Sequence, residues 1–389
     1  MKSWAEISRE ALAKNFRALQ AVAGSDVETL AVVKANGYGH GATLCAPALV
    51  AAGAGWLGVT DVAEGIAVRE SLEGAKASGF EARILVMCGI EPGDAAALVE
   101  HRLTPMVWTI AHVEAMEQAA REAEQRVAVH LEIDTGMSRQ GVAAEDVLAV
   151  AKRIAASAWV RCEGVASHLA CAEVAGAAKT VEAQHRFAWA LGQVAEAEIL
   201  PEYVHLGNTS AVDEGSTMSW IRDLAVRSGA VAMVRSGLAP YGYCLPLEGA
   251  EPRVPRLQPN LQPVMTWKAR VTDVRSLAAG AAVGYGATFV AEDAMRLALL
   301  PVGYADGFRR EASSGVGNGW VMVNGRRAPV VGRVSMNLTM VDVTAIAGVD
   351  VGTEVVLLGA GVSAEDHARW ANTIAYEILC GIRATLVPR

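Results

Sequence analysis

The stretch Ala31-Val32-Val33-Lys34-Ala35-Asn36-Gly37-Tyr38-Gly39-His40-Gly41 joins a short apolar run to a glycine-rich run. The apolar residues predict a buried strand, and the glycines after them predict a loop. Lys34 lies where the strand ends, at the edge of an apolar core. Partial burial there favours the neutral amine, whose lone pair can attack a carbonyl carbon. The alternative is a surface lysine whose stem lies along the end of a strand.

Around this stretch, predicted strands alternate with predicted helices. The chain opens with a strand at Trp4–Ile7 and a helix that Ser8 caps. From Val32 onward we count eight strands over about 200 residues, an alternation typical of a (β/α)8 barrel rather than an open doubly wound sheet. No dinucleotide-type glycine fingerprint follows the first strand. The predicted strands after the first are Trp56–Val59, Arg83–Met87, Thr104–Trp108, Val127–Ile133, Val160–Ser167, Tyr203–Leu206 and Ala230–Val234.

The pattern changes after about residue 245. A linker is marked by Pro246, Pro252, Pro255, Pro259 and Pro263. Short β-branched runs then predict strands at Thr266–Val274, Arg296–Leu300, Val321–Val323, Val330–Val334, Thr339–Val343 and Glu354–Leu358, with a helix at Ala364–Ile378. We therefore predict an α/β protein with a barrel over residues 10–240 and a mainly β-strand domain formed by residues 1–9 and 241–389.

Composition and charge bound the class of protein. The net charge is −8 without any run of like charges, which disfavours nucleic acid or an anionic membrane as a partner. The six cysteines have no paired spacing, so they are expected to be free thiols in a reducing compartment, and no metal site is predicted. The uncharged stretch Gly41–Thr60 contains proline and glycines and is better divided into a helix and a strand. Without a signal peptide pattern, these features predict a cytoplasmic, soluble protein.

Polar side chains cluster where the predicted strands end, which is where barrels carry their active sites. Each has an ordinary structural alternative, such as a satisfied core histidine or a surface ion pair, but together they predict a site. Hydroxyl and backbone donors after the seventh and eighth strands predict a phosphate site. The polar residues at all the strand ends are Lys34 and Tyr38 after the first strand, Glu132, Asp134 and Arg139 after the fifth, Ser167 and His168 after the sixth, His205, Asn208, Thr209 and Ser210 after the seventh, and Arg235 and Ser236 at the eighth.

A lysine amine opposite a phosphate site favours pyridoxal 5′-phosphate, because the amine can form a Schiff base with the cofactor. Sugar-phosphate aldolases share both features. A partner for the pyridine nitrogen distinguishes the two possibilities, and Arg235 is in a suitable position to be that partner.

The order of the motifs along essentially the whole chain resembles alanine racemase. These motifs are Val-Lys-Ala-Asn-x-Tyr-Gly-His-Gly, Asp-Thr-Gly-Met-x-Arg, Ser-His, Asn-Thr-Ser, Arg-x-Gly, Gly-Tyr-Gly-Ala-Thr, Gly-Tyr-Ala-Asp-Gly, Gly-Arg-Val-x-Met and Tyr-Glu. The resemblance implies that Lys34 holds the cofactor as an internal aldimine and that Tyr285 is the opposing base. Inversion at Cα needs two such groups, since the proton leaves one face and returns on the other.

The resemblance also implies the remaining roles. Arg235 would face the pyridine nitrogen, and His168 would lie by the ring. Because arginine stays protonated, the pyridine nitrogen would remain unprotonated and the cofactor would be a weaker electron sink. In the family, residues of the β domain reach the barrel of the other subunit, so a homodimer with shared active sites is expected. The other implied cofactor contacts are Tyr38, Asn208, Thr209, Ser236, Gly237, Leu238 and Tyr376, and the implied substrate or entrance contacts are Arg139, Tyr304 and Met336.

Two positions depart from the family pattern. Glu132 stands where many members carry a lysine that is often carbamylated, and Asn337 stands where an aspartate is usual. We hypothesise that the Glu132 carboxylate orients Arg139 without carbon dioxide, although glutamate is about 4 Å shorter and needs a backbone shift, a shifted arginine or a bridging water.

The predicted activity is interconversion of L-alanine and D-alanine to supply D-alanine for peptidoglycan. Racemases of the same fold that act on serine, lysine or many amino acids are the nearest alternative. A decarboxylase of related fold would not need a tyrosine base in Gly-Tyr-Gly-Ala-Thr. A non-catalytic pyridoxal phosphate carrier would consist of a barrel alone.

Overall fold

The computed structural model describes residues 2–73, 81–91, 93–249 and 254–389. These residues form two compact units. The barrel unit comprises the described residues of 11–37 and 42–262, and the C-terminal unit comprises those up to Glu10, Tyr38–Gly41 and Pro263–Arg389. The division differs from the expected one at three places. Residues 241–249 and 254–262 associate with the barrel, whereas Glu10 and the four residues after Gly37 associate with the C-terminal unit. Pro252 of the predicted linker lies outside the described residues.

Eight parallel strands among the described residues close into a barrel. Each strand pairs with the next along the chain, and the last pairs with the first through Ser236 opposite Ala31 and Arg235 opposite Leu30. The predicted (β/α)8 fold is confirmed. The strands are Val27–Val32, Trp56–Val59, Arg83–Val86, Thr104–Val107, Val127–Asp134, Val160–Ala166, Tyr203–Gly207 and Val231–Ser236.

Amphipathic helices cover the barrel. In the first helix, Leu12, Phe16 and Leu19 are buried as predicted, and Ala23 rather than Val22 completes the apolar face. Thr109 caps the helix Ile110–Glu122 by accepting a hydrogen bond from the His112 amide. The helices are Arg9–Ala23, Ala42–Ala51, Val62–Glu73, Asp94–Glu100, Ile110–Glu122, Val147–Ala155, Ala178–Glu196, Thr209–Glu214 and Ser216–Ser228.

The segment after the first barrel strand, predicted as a loop, is a left-handed turn. Ala35, Asn36 and Gly37 have φ of 50°, 53° and 63° with ψ of 49°, 48° and 43°. This conformation costs roughly 1–2 kcal/mol for each residue other than glycine. Asn36 stabilises it, because its Oδ1 accepts from the Ala42 amide at 3.0 Å and its own amide donates to Glu64 at 3.3 Å. The turn fixes Lys34 at the end of the strand.

The C-terminal unit is built on β-sheets. The N-terminal strand Ser3–Ile7 pairs antiparallel with Met265–Arg270, which explains why the first residues belong to this unit. Its largest sheet has the order Arg326–Pro329, Trp320–Val323, Glu354–Leu358, Met265–Arg270, Ser3–Ile7 and Thr385–Pro388. Smaller sheets contain Asp273–Leu277, Met295–Leu300 and Thr339–Asp342, and Ala282–Val283 with Phe289–Val290.

Three predicted elements of this unit are wrong in detail. Thr266–Val274 is two strands, and the strand predicted at Val330–Val334 lies instead at Arg326–Pro329. The turn at Asn324 and Gly325, whose φ values are 47° and 73°, sets that hairpin and overrides the β-branched composition of the following residues. The predicted helix Ala364–Ile378 divides into Ala364–Ala371 and Ala375–Gly381, because Asn372 adopts a left-handed conformation that ends the first helix.

Two further observations concern the whole chain. The six cysteines are free, as predicted. Among the described residues, no helix is both long enough and apolar enough to cross a lipid bilayer.

Candidate active site

Arg235, at the end of the eighth barrel strand, is the centre of the predicted site. Its Nη1 donates to Nδ1 of His205 at 2.8 Å and to the His205 carbonyl at 3.3 Å. Its Nη2 donates to the Ser167 carbonyl at 2.6 Å and to Nδ1 of His168 at 3.0 Å. Within the described residues, these four N–H groups are occupied and Nε–H is not. The guanidinium is thereby held in one orientation with a single donor left for a ligand.

The charges of this cluster are set by burial. Burial lowers the pKa of Arg235 to about 10, and the Glu132 carboxylate opposes that shift, so the guanidinium stays protonated at neutral pH. Burial, with the positive charges of Arg235, Arg139 and Lys34, lowers the pKa of His168 to about 3. His168 is therefore neutral at pH 7 and accepts the Arg235 hydrogen bond at Nδ1.

Lys34 is half-buried at the barrel end of the left-handed turn. Its charge acts on His168 and also on the Cys88 thiol, whose pKa is raised by burial and lowered in part by Lys34. The lysine is thus within electrostatic reach of the Arg235 cluster. This agrees with the expectation that polar residues at the ends of the barrel strands lie on one face of the barrel. Cys88, exposed after the third strand, was not among the predicted site residues.

Hydroxyl groups lie at the ends of the seventh and eighth strands. Thr209 Oγ1 and Ser236 Oγ are 2.8 Å apart, and both residues are buried. Asn208 caps the helix Thr209–Glu214 by accepting from the Ala211 amide at 3.0 Å. Gly237 and Leu238 follow Ser236 directly and precede a 3-10 turn at Ala239–Tyr241. The predicted anion-binding residues of the barrel unit are therefore adjacent in space.

Glu132 is buried at the end of the fifth strand, but its hydrogen-bond partner is Gln140. Gln140 Nε2 donates to Glu132 Oε2 at 2.6 Å and to the Met87 carbonyl at 2.8 Å. Burial raises the pKa of Glu132, and the attraction of Arg235, the Gln140 hydrogen bond and the attraction of Arg139 partly oppose the shift. Gln140 was missed in the sequence, although it directly follows Arg139 in the same motif.

Arg139 is exposed and, among the described residues, forms neither an ion pair nor a hydrogen bond. Its loop is shaped by Asp134, which accepts from the amides of Gly136, Met137 and Ser138. The hypothesised direct contact of Glu132 with Arg139 is not present in this conformation. Their interaction is a through-space attraction that the protein environment weakens.

Three predicted residues of the C-terminal unit are largely exposed. The exposed fractions are 71% for Tyr285, 43% for Tyr304 and 56% for Met336. The loops of Tyr304 and Met336 are joined by hydrogen bonds from the Tyr304 amide to the Ser335 carbonyl at 3.1 Å and from Ala305 to Met336 at 2.9 Å. The unit therefore brings Tyr304 and Met336 close together on its surface.

Two other pairs are formed within the C-terminal unit. The rings of Tyr38 and Tyr376 are 5.8 Å apart, so two residues predicted to contact phosphate lie together. Asn337 Nδ2 donates to Asp306 Oδ2 at 3.3 Å, and Asp306 also pairs with Lys2 at 2.9 Å. Asn337 is thus bonded to the loop that carries Tyr304.

Comparison with known families gives matches along the chain. Residues 7–244 match the model of the alanine racemase N-terminal domain, and residues 264–389 match that of the C-terminal domain. An alanine racemase of Symbiobacterium thermophilum is 37% identical over 391 aligned positions, which cover 100% of this chain and 96% of that protein.

Solved structures give the same result. Alanine racemase from Streptomyces coelicolor A3(2) superposes with a TM-score of 0.85 at 33% identity, covering 99% of this chain and 98% of that one. Alanine racemase from Bartonella henselae, with covalently bound pyridoxal phosphate, superposes with a TM-score of 0.82 at 26% identity and full coverage of both chains. The chain belongs to the alanine racemase family.

Proposed function

We propose that the protein interconverts L-alanine and D-alanine with pyridoxal 5′-phosphate as cofactor and with Lys34 and Tyr285 as the two bases. The observation that carries this proposal is the orientation of Arg235, whose four Nη hydrogens are occupied by protein acceptors. Its remaining Nε–H is a donor for one acceptor, and a pyridine nitrogen meets that requirement. The covalently bound cofactor of the Bartonella henselae enzyme supports the same assignment.

The barrel residues fit the chemical groups of the cofactor. The Lys34 amine would attach the aldehyde carbon, and Thr209 and Ser236 would donate to the phosphate, with Tyr38 and Tyr376 as further phosphate contacts. Because Arg235 keeps its proton at neutral pH, it holds the pyridine nitrogen without protonating it. When bound, the cofactor supplies the electron sink for removal of the Cα proton. Neutral His168 would pack beside the ring.

The two bases would act on opposite faces of Cα. Lys34 would remove or return the proton on one face, and Tyr285 of a second subunit would serve the other face. The 71% exposure of Tyr285 supports this role, since its hydroxyl is open to another protein surface. Arg139, exposed and unpaired among the described residues, would bind the substrate carboxylate, with Tyr304 and Met336 at the site entrance.

This assignment implies a cellular role. A homodimer with shared active sites would supply D-alanine for peptidoglycan from the cytoplasm, with neither nucleic acid nor membrane as a partner. A racemase that prefers serine or lysine is the second candidate, since Asn337 departs from the usual aspartate. A decarboxylase of related fold is disfavoured by the Tyr285 motif.

Chiral analysis of the products tests the activity. The purified protein, incubated with pyridoxal phosphate and a panel of L-amino acids, should produce D-alanine faster than any other D-amino acid. Lys34→Ala should abolish the conversion, and Lys152→Ala, which changes an exposed lysine, should not. Faster formation of D-serine or D-lysine would show that serine or lysine, and not alanine, is the preferred substrate. Release of carbon dioxide would indicate a decarboxylase.

Covalent labelling tests the cofactor lysine separately. Borohydride reduction of the loaded protein, followed by peptide mapping, should label the peptide that contains Lys34. Lys152→Ala should give the same labelled peptide. A label on a different lysine would contradict the assignment of Lys34.

A further inference from the structure

The interior of the barrel contains a line of four buried polar side chains, of which only Arg235 has a role in the proposed racemase chemistry. Arg235, His205, His130 and Glu163 come from the eighth, seventh, fifth and sixth strands, and each is at most 6% exposed. The line begins at Arg235, near the C-terminal end of the eighth strand. It ends at Glu163, whose ion-pair partners Arg83 and Arg161 lie at the first and second positions of their strands.

Each member contacts the next. Arg235 Nη1 is 2.8 Å from His205 Nδ1, and His205 Nε2 is 2.9 Å from His130 Nδ1. His130 Nε2 is 3.4 Å from Glu163 Oε2, a distance longer than that of a well-aligned hydrogen bond. The last link is therefore a contact between an N–H dipole and a carboxylate.

The chemistry of the two ends fixes the direction of every link. An arginine only donates, so His205 Nδ1 accepts and its Nε2 carries the hydrogen. His130 Nδ1 must then accept, and its Nε2–H points to a carboxylate that only accepts. Burial lowers the pKa of both histidines, so both rings are neutral. Burial opposes ionisation of Glu163, but His130 and Arg83 lower its pKa to about 2.

We propose that Glu163 is a positioning residue for Arg235, acting through His130 and His205. The carboxylate polarises the two aligned imidazole rings and makes His205 Nδ1 a stronger acceptor for the guanidinium, as carboxylates do for metal-binding histidines. Arg235 is then held with Nε–H directed toward the ligand. The inference rests on the role of Arg235 in the proposed function.

The surroundings of the line support a specific arrangement. A Cβ atom added at Gly164 would lie 2.5 Å from His130 Nδ1, so the residue after Glu163 leaves the space that the ring occupies. The Trp56 ring packs 5.2 Å from His130, and Arg83 lies 4.2 Å above the same indole. The His130 ring is therefore enclosed and has one orientation available.

The test replaces the carboxylate by an amide of the same shape. Glu163→Gln and a matched control, Glu202→Gln, are compared with the native protein, because Glu202 pairs with Arg161 from an exposed position. Two readouts are used on the pyridoxal phosphate-loaded protein: nitrogen-15 NMR of the histidine rings, assigned with His130→Gln and His205→Gln, and the rate of cofactor release. The NMR measurement is repeated on the cofactor-free protein.

In the native protein and in Glu202→Gln, both histidines should be single Nε2–H tautomers. In Glu163→Gln, the His130 signals should become those of a tautomer mixture, the His205 Nδ1 signal should move toward that of an unbonded imidazole, and the cofactor should dissociate about tenfold faster. Glu163→Asp, which keeps the charge, should restore most of the native His205 signal. It also provides the measurement if Glu163→Gln does not fold.

Unchanged His205 signals and an unchanged release rate in folded Glu163→Gln would overturn the proposal. So would Glu163→Asp behaving like Glu163→Gln. A protein without racemase activity would contradict the proposed function instead, since the tautomers of the cofactor-free protein report on the line of side chains independently.

Discussion

The proposed cofactor contacts of the barrel unit and the proposed second base of the C-terminal unit are presented in opposite ways. In the barrel unit, His168, Arg235, Thr209 and Ser236 are mostly or fully buried and bonded to their neighbours. In the C-terminal unit, Tyr285 is 71% exposed. The barrel residues are therefore fixed before any ligand binds, which is what a binding site requires. Under the proposed function, the exposed tyrosine serves the barrel site of a second copy.

Among the variants that test this difference between the units, Tyr285→Phe is expected to have the largest effect on the rate of racemisation. Loss of one base should reduce racemisation by about 10²–10⁴-fold. Exchange of the Cα proton of D-alanine, assigned to Lys34, should be retained better than exchange from L-alanine. Both rates are measured in deuterium oxide by NMR, with Trp189→Phe as a control at an exposed aromatic residue outside the proposed site.

Equal loss of Cα-proton exchange from L-alanine and D-alanine would contradict separate roles for Lys34 and Tyr285. It would mean either that one base serves both faces or that Tyr285 has only a structural role. A comparable loss in Trp189→Phe would show that the effect is not specific to Tyr285.

A smaller effect is expected at Glu132, inside the barrel unit. Glu132→Gln removes a buried negative charge that attracts Arg235 and Arg139, and it alters the bond to Gln140. The KM for alanine should rise, or kcat should fall, by about tenfold, a change of roughly 1.4 kcal/mol. Steady-state kinetics measure it, with Glu145→Gln as the exposed control.

Activity should also be independent of bicarbonate, because the carboxylate of Glu132 needs no carbon dioxide. Native kinetics in Glu132→Gln would show that this residue does not support the site. Loss of activity on removal of bicarbonate would contradict the role of Glu132 as the permanent anion.

The barrel and its strand-end residues could be predicted because parallel strands bring their C-terminal ends to one face. Lys34, His168 and Arg235 were found in this way. The line through the barrel interior could not be predicted, since alternation places His130 on a buried face without indicating its partners. Glu163 gave no signal of its own, because Arg83 and His130, its neighbours in space, come from two other strands.

Local conformation was predictable only where a residue type determines it. Asn324-Gly325 is a strong hairpin signal, whereas the β-branched run Val330–Val334 suggested a strand that does not form. The left-handed turn contains the same residue pair at Asn36-Gly37, but Ala35 gives no signal of this kind, because alanine rarely adopts that conformation. Hydrogen bonds to Ala42 and Glu64 decide it.

The comparison of the two units leads to one central claim, that the buried barrel site and the exposed Tyr285 meet between subunits. Mixing inactive Lys34→Ala and Tyr285→Phe proteins, with subunit exchange verified by mass spectrometry, tests it most directly. Random exchange in a two-fold dimer should restore native pairs of Lys34 and Tyr285 in about a quarter of the sites, with the corresponding racemase activity. Verified mixed dimers that recover no activity would show that both residues serve the site of one subunit and would contradict the account.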